Sequence, residues 1–202
     1  MPTHTQTPNL TAETILRSTT DSAWAAQAAK DLDHTLIDHA HCEKKAAASA
    51  FSFVAVYPED PDLVYALTAL ATEEIDHFRE VYGLLQTRGV PLGRDEGDPY
   101  VQQLLALSRQ PQKLRKLDRL LASALIEARS CERFRLLAAE LERLGDKENA
   151  ARFSRFANSE AGHAVLFVKL AAREAGWRER LDELAEAEAR IVAGLPVAPR
   201  IH

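Results

Sequence analysis

The stretches LTALATEEIDHFREVYGL (67–84) and FSRFANSEAGHAVLFVKL (153–170) decide the fold. In both, apolar residues recur every three or four positions, which is the spacing of one face of an α-helix. In both, a Glu-x-x-His tetrad interrupts that face, formed by Glu74 with His77 and by Glu160 with His163. Burying a carboxylate without a partner is costly. The two patterns therefore predict core-facing helices that converge on a group able to neutralise carboxylates.

Two further carboxylates occupy the same kind of position on other predicted helices. Glu43 and Glu127 each lie on an apolar stripe of helical period. Glu74 follows Glu43 by 31 positions, and Glu160 follows Glu127 by 33. Each predicted hairpin therefore repeats the order Glu, then Glu-x-x-His. Four carboxylates and two imidazoles in the middle of a bundle are the ligand set of a di-iron or di-manganese carboxylate site.

The ligand from the third long helix has two candidates. Glu132 follows Cys131 as Glu43 follows Cys42, but its helix face also carries Arg129, which favours a solvated or substrate-facing role. Glu127 is favoured because it lies on the apolar stripe.

Two residues near the predicted ligands are candidates for a supporting role. Glu73 and Ser159 each directly precede a ligand glutamate and are predicted to hold the ligand histidines. His39 lies four residues before Glu43 and is interpreted as an ordinary partly buried histidine, with contact to the site as the alternative. Cys42 and Cys131 are interpreted as small core residues with free thiols, because the ligand set is complete without them.

The composition favours helix throughout the chain. Its 202 residues are rich in Ala, Leu, Glu and Arg and include only 8 Gly. Long helices are predicted over 31–57, 61–88, 111–144 and 146–175, with shorter ones over 24–30, 100–109 and 177–193. Two hairpins with a longer crossover predict an all-α, ferritin-like four-helix bundle with additional short helices. We expect one domain over 1–202, with the bundle core at 31–176 and a C-terminal helical extension at 177–202.

Charge and hydropathy exclude some classes of protein. A formal net charge of −5 argues against a general nucleic-acid coat protein, although a local basic patch remains compatible with it. The first residues, MPTHTQTPNL, lack the features of a secretion signal, and the chain has no apolar run of bilayer length. A cytoplasmic protein is expected.

Four stretches together resemble the bacterial tRNA hydroxylase family MiaE: HAHCEKKAAASAF, ALATEEIDHFREVYGLLQTRG, LLASALIEARSCERFRLLA and RFSRFANSEAGHAVLFVKLA. The resemblance covers about residues 30–176. It implies a ferritin-like fold with a non-haem di-iron centre of two iron ions. It also implies O2-dependent hydroxylation of the isopentenyl side chain of 2-methylthio-isopentenyladenosine, next to the anticodon of tRNA. Carried over by position, the ligands are Glu43, Glu74, His77, Glu127, Glu160 and His163.

Partners follow from this chemistry. The chain contains no flavin or dinucleotide fingerprint, so a reductase or ferredoxin is expected to deliver the electrons. A monomer or small oligomer is expected. The pocket is predicted to open near the third long helix, whose basic residues are candidates for tRNA contact: Lys113, Arg115, Lys116, Arg119, Arg129 and Arg133. A solvated helix face is the competing interpretation of these charges.

Three other functions remain open from the residues alone. An iron-storage bundle shares the ligand set, but the extra helices and the C-terminal extension would burden a closed shell. A di-iron oxygenase acting on another small substrate would carry the same ligands. A metal-free helical interaction module is the third alternative.

Overall fold

This computed structural model describes residues 11–110 and 112–202, apart from the Lys113 side chain. Within those ranges the chain forms eight α-helices. They are α1 (Ala12–Ile15), α2 (Ala23–Lys30), α3 (Leu32–Val56), α4 (Pro61–Thr87), α5 (Pro99–Ala106), α6 (Gln112–Arg143), α7 (Lys147–Ala171) and α8 (Trp177–Gly194). No strand occurs within those ranges, which confirms the all-α prediction. None of the described helices is both long enough and apolar enough to cross a bilayer.

The four long helices form two hairpins, α3 with α4 and α6 with α7, and α4 also packs against α7. The crossover between the hairpins contains α5, which packs against α6 and α8. Two predicted ends are wrong by several residues. The helix predicted over 100–109 starts at Pro99 and ends at Ala106, and the one predicted to reach 175 ends at Ala171. Gly176 has a left-handed φ of 74° and precedes α8 instead of ending α7.

Local signals in the sequence account for the hairpin turns. Asp60 and Asp146 cap α4 and α7, because their carboxylates accept hydrogen bonds from backbone N–H groups in the first turn, at 3.2 Å in both cases. Gly145 adopts a φ of 87° after α6, and the next residue's N–H bonds back to the carbonyl of Leu141 at 2.9 Å. This arrangement suits glycine because it has no Cβ to oppose a left-handed conformation.

The core combines aromatic packing with a buried ion pair. Phe134, Phe153 and Phe156 pack against one another in the bundle, with ring centroids 5.6–6.0 Å apart. Nearer the surface helix α8, Arg129 donates from Nε to Glu188 Oε1 at 2.9 Å and from Nη2 to Glu188 Oε2 at 3.0 Å. Both side chains are fully buried, so the pair ties α8 to α6.

Candidate metal centre

The six predicted ligands come together in the middle of the bundle. Glu43 is on α3, Glu74 and His77 on α4, Glu127 on α6, and Glu160 and His163 on α7. Five of the six residues are buried, and the His77 side chain is 17% exposed to solvent. The face that each helix turns inward is the apolar stripe on which the sequence places these residues. Four helices therefore deliver one or two polar groups each to the same volume.

The cluster consists of two overlapping groups of four residues. Glu43, Glu74, His77 and Glu160 form one group, and Glu74, Glu127, Glu160 and His163 form the other. In each group, one ligand atom from every residue lies within 4.8 Å of the others. Glu74 and Glu160 belong to both groups, and a carboxylate has two oxygens with which to bridge two cations. The arrangement thus matches a pair of adjacent sites that share two carboxylates.

Both histidines turn Nδ1 toward the carboxylates. His163 Nδ1 lies 2.9 Å from Glu74 Oε1 and 3.3 Å from Glu160 Oε2. His77 Nδ1 lies 3.6 Å from Glu43 Oε2 and 3.7 Å from Glu74 Oε2. Imidazole nitrogen and carboxylate oxygen are suitable ligands for divalent iron or manganese.

Unsatisfied polar atoms at the centre fit the presence of metal ions. Both oxygens of Glu74 and Nδ1 of His77 are buried without a hydrogen-bond partner among the described residues. Their close contacts with other cluster atoms fall outside hydrogen-bond geometry. Buried polar groups are nearly always satisfied in folded proteins. A cation between the two groups would satisfy these atoms together, so the residues present fit a two-metal centre.

Without cations, protons must supply the missing positive charge. Burial and the neighbouring carboxylates raise the pKa values of Glu43, Glu127 and Glu160 above the usual range for glutamate. Burial disfavours the charged form of His77, but contacts with Glu43 and Glu74 outweigh it and raise the pKa of His77 to about 10. The metal-free cluster therefore retains protons on groups that would have to lose them to bind metal.

Two supporting contacts hold ligand side chains in place. Glu73, predicted for this role, has Oε2 at 3.0 Å from Nε2 of His163, which leaves Nδ1 of that ring directed at the cluster. His39 is fully buried and bonds through Nε2 to Oε1 of Glu43, so its interpretation as an ordinary, partly buried histidine was wrong. Burial lowers the pKa of His39 to about 3 and keeps the ring neutral. Its spacing of four residues from Glu43 was the available signal. The structure gives Ser159 no hydrogen bond to either ligand histidine.

The alternative third-helix ligand, Glu132, points elsewhere. Its Oε1 accepts a hydrogen bond from the backbone N–H of Thr20 at 2.8 Å, and its Oε2 accepts one from the Thr20 hydroxyl at 2.7 Å. It also pairs with Arg129. The structure therefore brings Glu127, and not Glu132, into the cluster.

A cavity of about 270 Å³ reaches the cluster from the side of α5 and α6. Four of the predicted ligands line it: Glu43, Glu74, Glu127 and Glu160. Most other lining side chains are apolar, among them Val101, Leu105, Ile126, Phe134 and Phe167. The cavity therefore suits a small apolar group that approaches the cluster of carboxylates.

The basic residues of α6 differ in whether they can contact a large anion. Arg129 is fully buried and Arg133 is 8% exposed, so their prediction as tRNA contacts was wrong. The misassignment arose because α8 and residues 18–20 cover that part of α6. Lys116 is held by Asp60 at 3.0 Å and Glu174 at 3.2 Å. Nothing is described of the Lys113 side chain.

Arg115 and Arg119 remain near the cavity. Arg115 is exposed, and the half-buried Arg119 has its guanidinium 4.2 Å from the ring centre of Phe53. Both line a surface cleft that shares Leu105 with the cavity. These two cations therefore lie beside the cavity.

Comparison with known proteins identifies relatives along most of the chain. The model of the family described as tRNA-(MS2IO6A)-hydroxylase (MiaE) matches residues 7–202. A Pseudomonas putida protein, named tRNA 2-(methylsulfanyl)-N(6)-isopentenyladenosine(37) hydroxylase, is 38% identical over 159 residues, covering 79% of this chain and 76% of that protein. A Salmonella typhimurium protein of the same name is 28% identical over 206 residues, covering 78% and 75%.

A solved structure shares the architecture. Protein 43 from Synechococcus, described as having aldehyde deformylating oxygenase activity, superposes with a TM-score of 0.86 at 37% identity, covering 93% of this chain and 94% of that one. The prediction of a ferritin-like helical fold is confirmed by this match together with the all-helical architecture. The family match over residues 7–202 and the 38% identity give the same result: the chain belongs to the MiaE family of tRNA hydroxylases.

Proposed function

We propose that this chain is an O2-dependent, non-haem di-iron monooxygenase that hydroxylates the isopentenyl side chain of 2-methylthio-isopentenyladenosine next to the anticodon of tRNA. One observation carries the proposal: in a member of the MiaE family, two overlapping groups of carboxylates and imidazoles open onto an apolar cavity. The proposal treats residues 1–202 as one ferritin-like domain acting in the cytoplasm, where its tRNA substrate would be, as a monomer or small oligomer.

The proposed metal ligands are the six residues of the two groups, with Glu74 and Glu160 shared. A pair of ferrous ions bound there supplies the ability to activate O2 for insertion into a C–H bond. One oxygen atom enters the C–H bond and the other leaves as water, which requires two electrons and two protons. We assign the electrons to a separate reductase or ferredoxin. Glu73 positions His163, and His39 positions Glu43.

The cavity serves to bind and orient the side chain of the substrate. An isopentenyl group is apolar, so contact with Ile126, Phe134 and Phe167 would remove it from water. The same walls keep water away from the ligands. The base must leave its stack to bring this group into the bundle, as in other enzymes that act on a nucleobase.

Arg115 and Arg119 are the residues that we assign to phosphate contact. They line a surface cleft that shares Leu105 with the cavity, whereas Lys116 is already paired with two carboxylates. Replacing Arg115 by alanine is expected to lower the dependence of log K on log salt by about one. Replacing Lys116 is expected to leave that slope nearly unchanged. Equal slopes for the wild type and for Arg115→Ala would remove Arg115 from the interface.

The central experiment is mass spectrometry of tRNA nucleosides. Purified protein is incubated with ferrous iron, O2, an electron donor and tRNA that carries the prenylated adenosine. We expect the mass of one oxygen atom to be added to that nucleoside, and His77→Ala to abolish the gain. His34→Ala, at an exposed position outside the cluster, is the matched control and is expected to retain activity. Iron-loaded protein that leaves the nucleoside unchanged with competent donors would refute the assignment.

A second candidate function is oxygenation of a small aldehyde. It is favoured by the fold shared with the Synechococcus protein and by the apolar lining of the cavity. Incubation of the same preparation with medium-chain aldehydes separates the two: formate and a shortened hydrocarbon would support the aldehyde substrate. Size-exclusion chromatography tests the storage alternative, because a hollow cage elutes far ahead of a monomer or small oligomer.

A further inference from the structure

The segment after α8, residues 195–202, crosses the bundle next to the metal cluster and is anchored by buried groups. The backbone N–H of Ile201 donates to Oδ2 of Asp38 at 2.7 Å, and Nε of Arg200 donates to Oδ1 at 3.0 Å. Asp38 is 6% exposed, so these donors satisfy a carboxylate that would otherwise be buried alone. This terminal segment is therefore an integral part of the packing around α3.

Side chains on two other helices donate hydrogen bonds to backbone carbonyls of the terminal segment. Nε1 of Trp24, on α2, donates to the carbonyl of Arg200 at 2.9 Å. Nη1 of Arg133, on α6, donates to the carbonyl of Ile201 at 3.0 Å. Buried hydrogen bonds on both sides hold the backbone at 200–201 in one position.

The two last residues of the segment form a wall of the cavity. Ile201 is fully buried and His202 has a side-chain exposure of 6%, and both line the cavity together with the predicted ligands Glu43 and Glu127. The His202 ring stacks on Tyr100 with centroids 5.6 Å apart and an interplanar angle of 19°.

Polar contacts fix the orientation of the His202 ring. Its Nε2 shares a hydrogen bond with Ser130 Oγ at 2.7 Å, and its Nδ1 lies 3.3 Å from Asp98 Oδ2 and 3.4 Å from Cys42 Sγ. Both ring nitrogens are thus occupied by protein partners, which leaves the ring to act through its shape.

These contacts place the wall within one helical turn of two ligands. Cys42 is adjacent to Glu43, and Ser130 follows Glu127 by three positions on the same helix face. A group that fills the cavity as far as the cluster therefore lies against Ile201 and His202.

We propose that Ile201 and His202 are specificity-determining residues, which limit the length of the prenyl group that the cavity accepts. This inference rests on the proposed function for the identity of the substrate. Because Ile201 contributes an apolar, immobile surface, removing its branched side chain should create room for additional carbons. Discrimination of one methylene in a hydrophobic pocket is about 10–200-fold. Each residue should therefore contribute at least a 10-fold preference for the five-carbon group.

The test compares two alcohols as probes of the metal-free protein, which avoids any dependence on turnover. Isothermal titration measures the affinities for 3-methyl-2-buten-1-ol, with five carbons in a prenyl chain, and for geraniol, with ten. Wild-type protein is expected to favour the shorter alcohol. Ile201→Ala is expected to shift the affinity ratio toward geraniol by at least 10-fold. His202→Ala should shift it in the same direction.

Val197→Ala is the matched control, because Val197 belongs to the same segment, is 39% exposed and does not line the cavity. Its ratio should equal that of the wild type. An unchanged ratio in Ile201→Ala, or an equal shift in Val197→Ala, overturns the inference. Ile201→Val is the milder variant that keeps the test valid if alanine destabilises the fold, and it should give a smaller shift in the same direction.

Turnover separates this inference from the proposed function. With tRNAs carrying isopentenyl or geranyl adenosine, Ile201→Ala should change the ratio of kcat/KM values as it changes the ratio of affinities. If wild-type protein hydroxylates neither tRNA while the alcohol ratios shift as expected, the proposed substrate fails and the role of the wall remains. If tRNA is hydroxylated and neither ratio moves, the wall inference alone fails.

Discussion

Replacing Glu74 by leucine should destabilise the metal-free protein and remove its stabilisation by metal. Glu74 is 1% exposed, and neither of its oxygens has a hydrogen-bond partner among the described residues. The cluster has four carboxyl groups and only two imidazoles. Glu74 Oε1 lies 2.9 Å from His163 Nδ1, and Glu74 Oε2 lies 3.7 Å from His77 Nδ1. Burial acts to raise the pKa of Glu74, but contacts with Glu43 and the two imidazoles outweigh it and lower that pKa, whereas the pKa values of Glu43 and Glu160 are raised. The substitution therefore removes the carboxylate that balances the charge of both imidazoles.

The expected magnitude follows from the cost of burying charge. Removing one partner of a buried ionic contact costs about 3–5 kcal/mol, because the other charge is left buried without compensation. In a chain of this size, each kcal/mol shifts Tm by about 2–4 °C. Wild-type protein should instead gain about 2.7 kcal/mol from metal at 100 times its Kd. The Glu74→Leu variant should lose most of that gain, because Glu74 belongs to both groups of ligands.

Urea unfolding at pH 7 measures both effects, on chelator-treated protein and on protein with ferrous ion under nitrogen. Glu142→Leu, at an exposed position on α6, is the control and should change stability by less than about 0.5 kcal/mol. A loss below about 1 kcal/mol in the metal-free variant would show that the imidazoles do not depend on Glu74 for charge balance. Retention of the full metal effect would exclude Glu74 as a ligand. Either result would refute the reasoning.

Three further outcomes are expected. Because the folded-state pKa of His77 is raised to about 10, its contribution to metal-free stability is complete below pH 6.5 and is lost as the pH rises toward 10. Urea midpoints at pH 7 and 9.5 should show this loss of stability, and His77→Gln should reduce the difference between them. Glu73→Ala should weaken ferrous-ion binding by about 10–100-fold, since His163 loses the acceptor that orients it. If a titration showed that Glu73→Gln binds ferrous ion as weakly as Glu73→Ala, orientation by hydrogen bonding would be excluded. Glu188→Ala should cost about 3–5 kcal/mol of unfolding free energy, because the buried guanidinium of Arg129 loses its fully buried partner and keeps the partly exposed Glu132. A loss below about 1 kcal/mol would contradict this.

The residues of the cluster were predictable because each conflicts with its local pattern. Glu74 and Glu160 lie where the helical period demands an apolar side chain, and a conflict of that kind marks a functional position. The long helices were predictable for a related reason, since Gly145 and the capping Asp146 mark the same boundary that the apolar period indicates.

The errors concern contacts between distant parts of the chain. Arg129 and Arg133 look like part of an exposed basic stripe because a charge pattern contains no information about what covers it. Glu188 and Thr20, which bury Arg129, lie 59 and 109 positions away. The cavity wall was missed for the same reason, because it depends on a contact between distant residues. The backbone of Ile201 is bound by Asp38, 163 positions earlier in the chain.

One turn of α3 links the cluster of predicted ligands to this cavity wall. His39 and Glu43, four residues apart, share a helix face toward the ligands, whereas Asp38 and Cys42 share the neighbouring face toward the terminal segment. Because a helical turn tends to move as a unit, we expect a change in the anchor at Asp38 to displace Glu43 as well as the wall. A change in Ile201 alters only the wall, because its backbone donor remains on Asp38. We therefore expect Asp38→Asn to change metal affinity together with substrate selection, and Ile201→Ala to change selection alone.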